Sequence, residues 1–442
     1  MICNFPGKQW KVIGAFFLLL VFIAVGHIMG IGNMAPSQIL AGERVSQKGA
    51  GQERMIDEGR QIFRFDTFGS EEFWGGKLRL HEAIAQVSPK TALAVGLKVD
   101  VDAVPRNILN LLKQGKVDLD DPANTFLLLK INSVVGVTGF FNEQGNLSSI
   151  GIQCCLCHST VDDSFAPGIG HRLDGWPNQD LNIGAIVALS PDLSPVAELL
   201  QVDEESVRAV LHSWGPGMYD AQYNMDSKFF RPDEKSAATR IPAAYGLAGV
   251  NLHTWTGWGS VPYWNAYVAN TQMYGKGTFV DIRLNDPAKY PTAARTGLWD
   301  VRHDPDLITS KLPALHLYQI SLSPPAPSEG SFDKEAAARG EDVFAGKGNC
   351  VECHVPPLFT EPGFHIRTPE EIGIDDFQSG RSPQEGYRTA PLRGLWSRMK
   401  RGFFHNGRFA TLLDVVNHYN THKGLGLTKD EKHDLVEYLK SL

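Results

Sequence analysis

Cys154-Cys155-Leu156-Cys157-His158 and Cys350-Val351-Glu352-Cys353-His354 both read C-x-x-C-H. This spacing is the attachment signature of a c-type haem. Two thiols one turn apart add to the two vinyl groups of one porphyrin, and the adjacent histidine turns an imidazole nitrogen to the iron. Zinc ribbons bring two C-x-x-C pairs within roughly 15–20 residues of each other, whereas these pairs lie almost two hundred residues apart. A redox dithiol needs no histidine directly after its second cysteine, least of all twice. The cofactor reading is two covalently bound haem c groups, held by Cys154, Cys157 and His158 and by Cys350, Cys353 and His354.

The chain has 442 residues, which points to two or more domains. Its hydrophobic content of 43% and aromatic content of 10% are enough for ordinary cores. A net charge of −7 gives no footprint for nucleic acid, so no nucleic-acid partner is expected. Of six cysteines, four belong to the haem motifs, leaving Cys3 and Cys155. Cys155 reads as a filler inside its motif, and no disulfide is required.

Lys8 and Lys11 precede an uncharged run from Val12 to Ala41, richest up to Ile31. Basic residues ahead of an apolar run of ~20 residues direct the downstream chain outward. Residues 1–31 are therefore expected to be a signal peptide or transmembrane anchor. A retained anchor is favoured over cleavage, for which Ala24-Val25-Gly26 is a weak site. Covalent haem c is assembled outside the cytoplasm, so both features give a periplasmic address at the inner membrane.

Residues 32–54, rich in Gly, Ser and Gln, read as a linker. Helical pattern starts near Met55. Glu58-Gly59-Arg60-Gln61-Ile62-Phe63 recurs in altered form as Arg339-Gly340-Glu341-Asp342-Val343-Phe344, one copy ahead of each haem motif. A second pair comes after the motifs. Arg240-Ile241-Pro242 leads to Trp255-Thr256-Gly257, and Arg388-Thr389-Ala390-Pro391 leads to Phe404-His405-Asn406-Gly407. The order of helix, haem motif, R-x-P segment and x-x-G turn thus appears twice. This implies a mainly α fold of two cytochrome-c-like domains, 55–320 and 331–442, with a Pro/Ser linker at 321–330. The first domain carries insertions at 64–150 and about 173–238. The former has mostly helical pattern, as in Val104–Lys113 and Thr125–Val135.

On these motifs the chain resembles the bacterial di-haem cytochrome c peroxidase superfamily, which also holds a di-haem maturase of a tryptophan-derived quinone cofactor and di-haem rubber oxygenases. Residues 337–362 and 387–419 follow the family pattern closely, and the first domain matches in patches. The resemblance implies that His158 and His354 are proximal iron ligands. It implies that His171, in Gly168-Ile169-Gly170-His171, sits on a loop that can ligate the first haem and leave on activation, although a loop histidine facing solvent reads the same way. It implies that Trp255 is an electron relay between the haems. Thr389 and Pro391 match a segment that lends carbonyls to an interdomain calcium. Arg240 falls where the family has an Asn ligand, and its charge disfavours a cation, so calcium is left open.

Tyr419 takes the place of the Met that ligates the second haem in the peroxidases. On the helix from Thr411, Leu412, Val415 and Val416 define an apolar stripe with Tyr419 in its middle, His422 on its flank and His418 pointing away. Tyrosine there resembles the quinone-maturing branch and favours ferric iron. The stretch Val261–Val280 lacks any carboxylate, where peroxidases carry a distal acid, and Asn265 and Gln272 are its polar candidates. Three functions stay open: a peroxidase, an oxygenase or oxidative modifier acting with dioxygen, and a non-enzymatic electron carrier. The expected partners are a small redox protein as electron donor or acceptor, peroxide or dioxygen, and a membrane through the N-terminal segment.

Overall fold

A computed structural model describes residues 36–442, with side chains from residue 49 onward. The expected signal or anchor at 1–31 lies outside the described residues. Among the described residues no helix is long and apolar enough to cross a membrane. Across the stretch expected to be a linker, the chain from Pro36 on forms a helix, Pro36–Phe65. Gln, Glu, Arg, Leu and Ala in this stretch are good helix formers, and they outweigh its four glycines.

Residues 56–442 form one compact unit, and the duplication is visible inside it. Each repeat opens with a helix that ends in a buried phenylalanine, Phe63 or Phe344. Each closes with another helix, Leu312–Ser321 or Lys429–Ser441. The two helices cross where a glycine lets the backbones touch. A Cβ on Gly59 would lie 2.0 Å from the carbonyl oxygen of Ala314, and one on Gly340 would lie 2.0 Å from that of Asp434. One turn further along, Phe63 packs on Tyr318 at 5.5 Å between ring centroids, and Phe344 on Tyr438 at 5.2 Å.

The x-x-G turns also correspond in their details. His253 bridges Gly259, and Phe403 bridges Phe409. Thr254 (φ 66°) and Phe404 (φ 64°) both take the left-handed conformation that costs a non-glycine residue energy. Trp255 therefore corresponds to His405. An eleven-residue helix comes next in each repeat, Val261–Thr271 capped by Ser260 and Leu412–His422 capped by Thr411. The latter was expected from its apolar stripe.

The insertion is more mixed than its sequence pattern. Helix Arg106–Lys113 lies where it was expected. The second begins earlier, at Pro122, because Asp121 caps it by accepting from the Ala123 N–H at 2.9 Å. It ends at Lys130, ahead of β-branched residues that lead into a hairpin, Val137–Phe141 with Leu147–Ile152. At the entry to this hairpin, Gly136 (φ 85°) leaves room for the haem motif, since a Cβ there would lie 2.2 Å from Leu156 Cα. Val99–Asp100 pairs in parallel with Ile169–Gly170 and ties the insertion to the loop after the first motif. Helices Ile183–Val187, Ser194–Leu200 and Glu204–Trp214 complete this layer around Leu78, Ile150, Leu181 and Leu193. The second repeat keeps a separate core around Phe344, Leu395, Val416 and Leu435.

The glycine crossing sets a stability expectation. Gly340→Val should destabilise the loaded protein by about 1–3 kcal/mol through backbone displacement, read as a lowered denaturation midpoint at unchanged slope. Gly363→Val, where a Cβ meets nothing within 4 Å, should leave the midpoint nearly unaltered.

Candidate functional site

Each haem motif is a single turn. Residues Cys155–His158 are helical, and Cys350–Glu352 form a 3₁₀ turn. The turn is closed by the His158 N–H donating to the Cys154 carbonyl at 3.3 Å, and by His354 donating to Cys350 at 2.9 Å. Cys154, Cys157, Cys350 and Cys353 are only half-buried and unpaired. Cys155 is fully buried, with its Sγ against the Arg64 carbonyl at 3.3 Å, as suits a packing residue.

The histidines are oriented from behind. His158 Nδ1 lies 3.1 Å from the Pro242 carbonyl oxygen, and His354 Nδ1 lies 3.2 Å from that of Phe359. A carbonyl can only accept, so Nδ1 carries the proton and Nε2 keeps its lone pair. Burial pushes both imidazoles down to about 4, so both are neutral at physiological pH. A neutral imidazole with Nδ1 anchored and Nε2 free is what an iron ligand requires. The thiols, the turn and the imidazole together fit covalent haem in both repeats.

Tyr419 lies on the haem side of its helix. Burial pushes its phenol well up, with the neighbouring Cys353 and Cys350 thiols adding to the shift. His418 Nε2 turns to the Ile372 carbonyl oxygen at 2.8 Å and His422 Nε2 to that of Glu371 at 3.3 Å. Of the three residues on this helix, the structure brings only the tyrosine to the cysteines.

Trp255 sits on the seam between the repeats. Its indole Nε1–H donates to the Arg240 carbonyl at 2.8 Å, and its own carbonyl accepts from the Arg388 N–H at 2.9 Å. In the second repeat the equivalent residue, His405, is buried and stacked on Tyr387 at 5.1 Å.

His171 takes the solvent-facing position that its loop left open as an alternative. Its side chain is 59% exposed, and Nδ1 bonds to Asp102 of the insertion at 3.0 Å. That hydrogen bond raises its pKa above the ordinary value. Its backbone N–H donates to Asp162 at 2.8 Å. Its polar bonds therefore face the surface rather than the haem motif. Thr389 and Pro391 do come together, but both carbonyls are taken. Thr360 Oγ1 donates to the Thr389 carbonyl at 2.6 Å, and Arg398 donates to that of Pro391. The guanidinium of Arg240 donates to the carbonyls of Gly402 and Arg398 and to Gln179.

Among the polar candidates of the first repeat, Asn265 exchanges amide bonds with Gln319 at 2.7 and 3.1 Å. Gln272 is buried and donates to the Ala221 carbonyl and to Asn224, each at 3.0 Å. One informative residue went unnoticed in the sequence. With Ser260 and Thr411 aligned as caps, the position of Tyr419 corresponds to Val268. The two caps and equal helix lengths were the available signal.

No family model matches the chain. Among curated proteins, it is 28% identical over 150 residues to the cytochrome-c peroxidase IdrP1 of Denitromonas iodatirespirans, covering 24% of this chain and 40% of that protein. It is 30% identical over 130 residues to the methylamine utilization protein MauG of Methylophilus methylotrophus, covering 24% of this chain and 37% of the relative. The chain is related to the di-haem cytochrome c peroxidase and MauG superfamily. It spans about two fifths of the length of the relatives it matches. Among solved structures, a MauG-like protein associated with microbial copper homeostasis aligns at 16% identity and a TM-score of 0.31, over 48% of this chain and 76% of that one. A Kuenenia stuttgartiensis hydrazine synthase aligns at 20% identity and a TM-score of 0.28, over 50% of this chain and 86% of that one.

Two outcomes test the site. Tyr419→Phe should change the ferric spectrum and raise the potential of the His354 haem, because an anionic ligand stabilises Fe(III). An unchanged spectrum would remove Tyr419 from the iron. Trp255→Phe should leave both haem spectra nearly unchanged and slow equilibration of an electron between the haems, measured by flash reduction. Equilibration at the wild-type rate would reduce Trp255 to a packing residue.

Proposed function

We propose that the protein is a periplasmic di-haem oxidoreductase that reduces peroxide at the His158 haem, with electrons delivered by a small redox protein through the second repeat. The supporting observation is the asymmetry of two equivalent helices. The second repeat offers Tyr419 towards its haem, whereas the first offers Val268, which cannot ligate iron. The N-terminal haem is therefore left open on this face, and the C-terminal one is closed.

Bound haem supplies the redox-active iron at both sites. The overall reaction takes two electrons and two protons to convert hydrogen peroxide to two waters. The chain's own residues contribute position and charge. Pro242 and Phe359 hold the two imidazoles by their Nδ1 protons. Trp255 lies in the path between the repeats. Asn265, three residues before Val268, shares its helix face and is bonded to Gln319.

A carboxylate to move the proton between the peroxide oxygens is missing from this helix. A positioned acid–base group is worth ~10²–10⁴-fold, so peroxidase turnover is expected to be detectable but poor. Turnover carried by Asn265 alone would favour a slow oxidative modifier as the working role. His171, bonded to Asp102 at the surface, is proposed as a ligand or proton carrier only if the loop at 168–171 moves.

The asymmetry is tested by Val268→Tyr. In the wild type, cyanide should bind one ferric haem and not the other. Val268→Tyr should slow cyanide and peroxide binding by an order of magnitude or more (at least ~10-fold) while the His354 haem spectrum is unaltered. Equal cyanide binding in wild type and variant would show that this face does not govern access, and the peroxidase reading would go with it.

A further inference from the structure

Three arginines meet between the repeats, and none forms an ion pair among the described residues. Arg240 is 6% exposed and satisfies its guanidinium with oxygens alone: the carbonyls of Gly402 and Arg398 and the side chain of Gln179. Arg398 gives one nitrogen to the Pro391 carbonyl, and its Nε is buried without a partner. Arg388 is the starkest case. Its Nε and Nη2 are both buried and unpartnered. Arg388 and Arg398 also face one another closely enough for like charges to act, and burial with Arg398 nearby pushes Arg388 down to about 9.

The same chain shows how it buries an arginine with its own partners. Arg381, 1% exposed, is clasped by Asp220 at 3.0 Å and by Asp226 at 2.7 and 2.9 Å. A buried guanidinium without a counter-charge is strongly unfavourable. No carboxylate of the described residues reaches Arg388 or Arg398, so the missing charge must come from a bound group. Arg398 lies close enough to His354 to act on its imidazole. The Arg388 N–H is bonded to Trp255. The unpaired nitrogens therefore lie between the second haem motif and the seam.

We propose that Arg388 and Arg398 form a built carboxylate site that takes the propionate groups of the haem attached at Cys350 and Cys353. This rests on the two-haem reading. A porphyrin of this type carries two carboxylates on one edge, matching two guanidinium forks. Arg240 is a positioning residue for this site. Its guanidinium belongs to the first repeat, yet it grips the carbonyls of Arg398 and Gly402 in the second. The first repeat thereby sets the place of an anion-binding nitrogen at the other repeat's haem. Loading that haem neutralises the charge on the seam and locks the segments that hold Trp255.

The test is spectroelectrochemical titration of the loaded protein, after a pyridine haemochrome assay has counted its haems. Arg388→Gln and Arg398→Gln should each shift the potential of the His354 haem downward, since removing a nearby cation stabilises ferric iron. That potential should also gain pH dependence, because a propionate without its guanidinium titrates at higher pH. The His158 haem should keep its potential. Arg240→Gln should shift the same haem in the same direction by less. Arg388→Lys, which keeps the charge, should restore most of the potential and guards against a folding defect in the glutamine variants. Unshifted, pH-independent potentials in both glutamine variants would overturn the site. So would a crystal structure of the loaded protein with chloride or a side-chain carboxylate on these nitrogens and the propionates elsewhere. Fewer than two haems in the wild type would instead overturn the two-haem reading.

Discussion

The two repeats are held together by a reciprocal pair of backbone hydrogen bonds. The Arg240 N–H donates to the His405 carbonyl at 2.7 Å, and the Arg388 N–H donates to the Trp255 carbonyl at 2.9 Å. Each bond joins the R-x-P segment of one repeat to the x-x-G turn of the other. Such an exchange is the mark of a two-fold interface, here folded into one chain. The same segments also orient the histidine of the first haem motif. Two residues beyond Arg240, the Pro242 carbonyl holds the first proximal histidine. Between the two bonds lies Trp255. A shift of one segment would therefore be felt at the seam and at an iron ligand together.

On this symmetric frame the differences carry the chemistry. The crossing helices, the glycines beneath them and the Phe–Tyr contacts are nearly the same in both repeats, because they only build a cytochrome-like core. The helix after each turn keeps its cap and its length while its haem-facing residue changes from Val268 to Tyr419. At one position of a fixed scaffold, a tyrosine facing the cysteines in the second repeat is replaced by an apolar valine in the first. The insertion adds a further difference. Its hairpin rests on Leu156, and Asp102 fixes His171 at the surface, so residues foreign to the second repeat surround the first haem motif.

Electrostatics divides the seam into closed and open parts. Arg381 with Asp220 and Asp226 is complete within the polypeptide, and it pins the second repeat to the aromatic wall of the first around Tyr223 and Tyr267. Asp220 rises to about 6 because burial outweighs the pull of Arg381. Such a cluster favours a unique arrangement more than it adds stability. Arg240, Arg388 and Arg398 are the complement, positive charge without acid. Between the repeats, the Arg240 guanidinium bridges the carbonyls of Gly402 and Arg398.

Several features were settled by residue order alone. The cysteine–histidine spacing determines covalent haem chemistry wherever the turn sits, because the reaction needs only one helical turn of local geometry. The duplication was also legible, since Gly59 and Gly340, Arg240 and Arg388, and Gly257 and Gly407 are local requirements repeated in order. The helix carrying Tyr419 came from a 3.6-residue stripe. Other features depended on contacts between residues far apart in the chain. The stretch from Pro36, linker-like by composition, is helical, and the helical pattern at 125–135 holds only as far as Lys130, ahead of a hairpin packed on the haem motif. His171 read equally as a haem-side or a solvent-facing loop histidine, and its bond to Asp102, some seventy positions earlier, is visible only in the fold. The match of Val268 with Tyr419 and the unpaired nitrogens of Arg388 and Arg398 exist only once the repeats are aligned and packed. Spacing encodes what one turn can do, whereas burial and charge balance belong to the assembled interface.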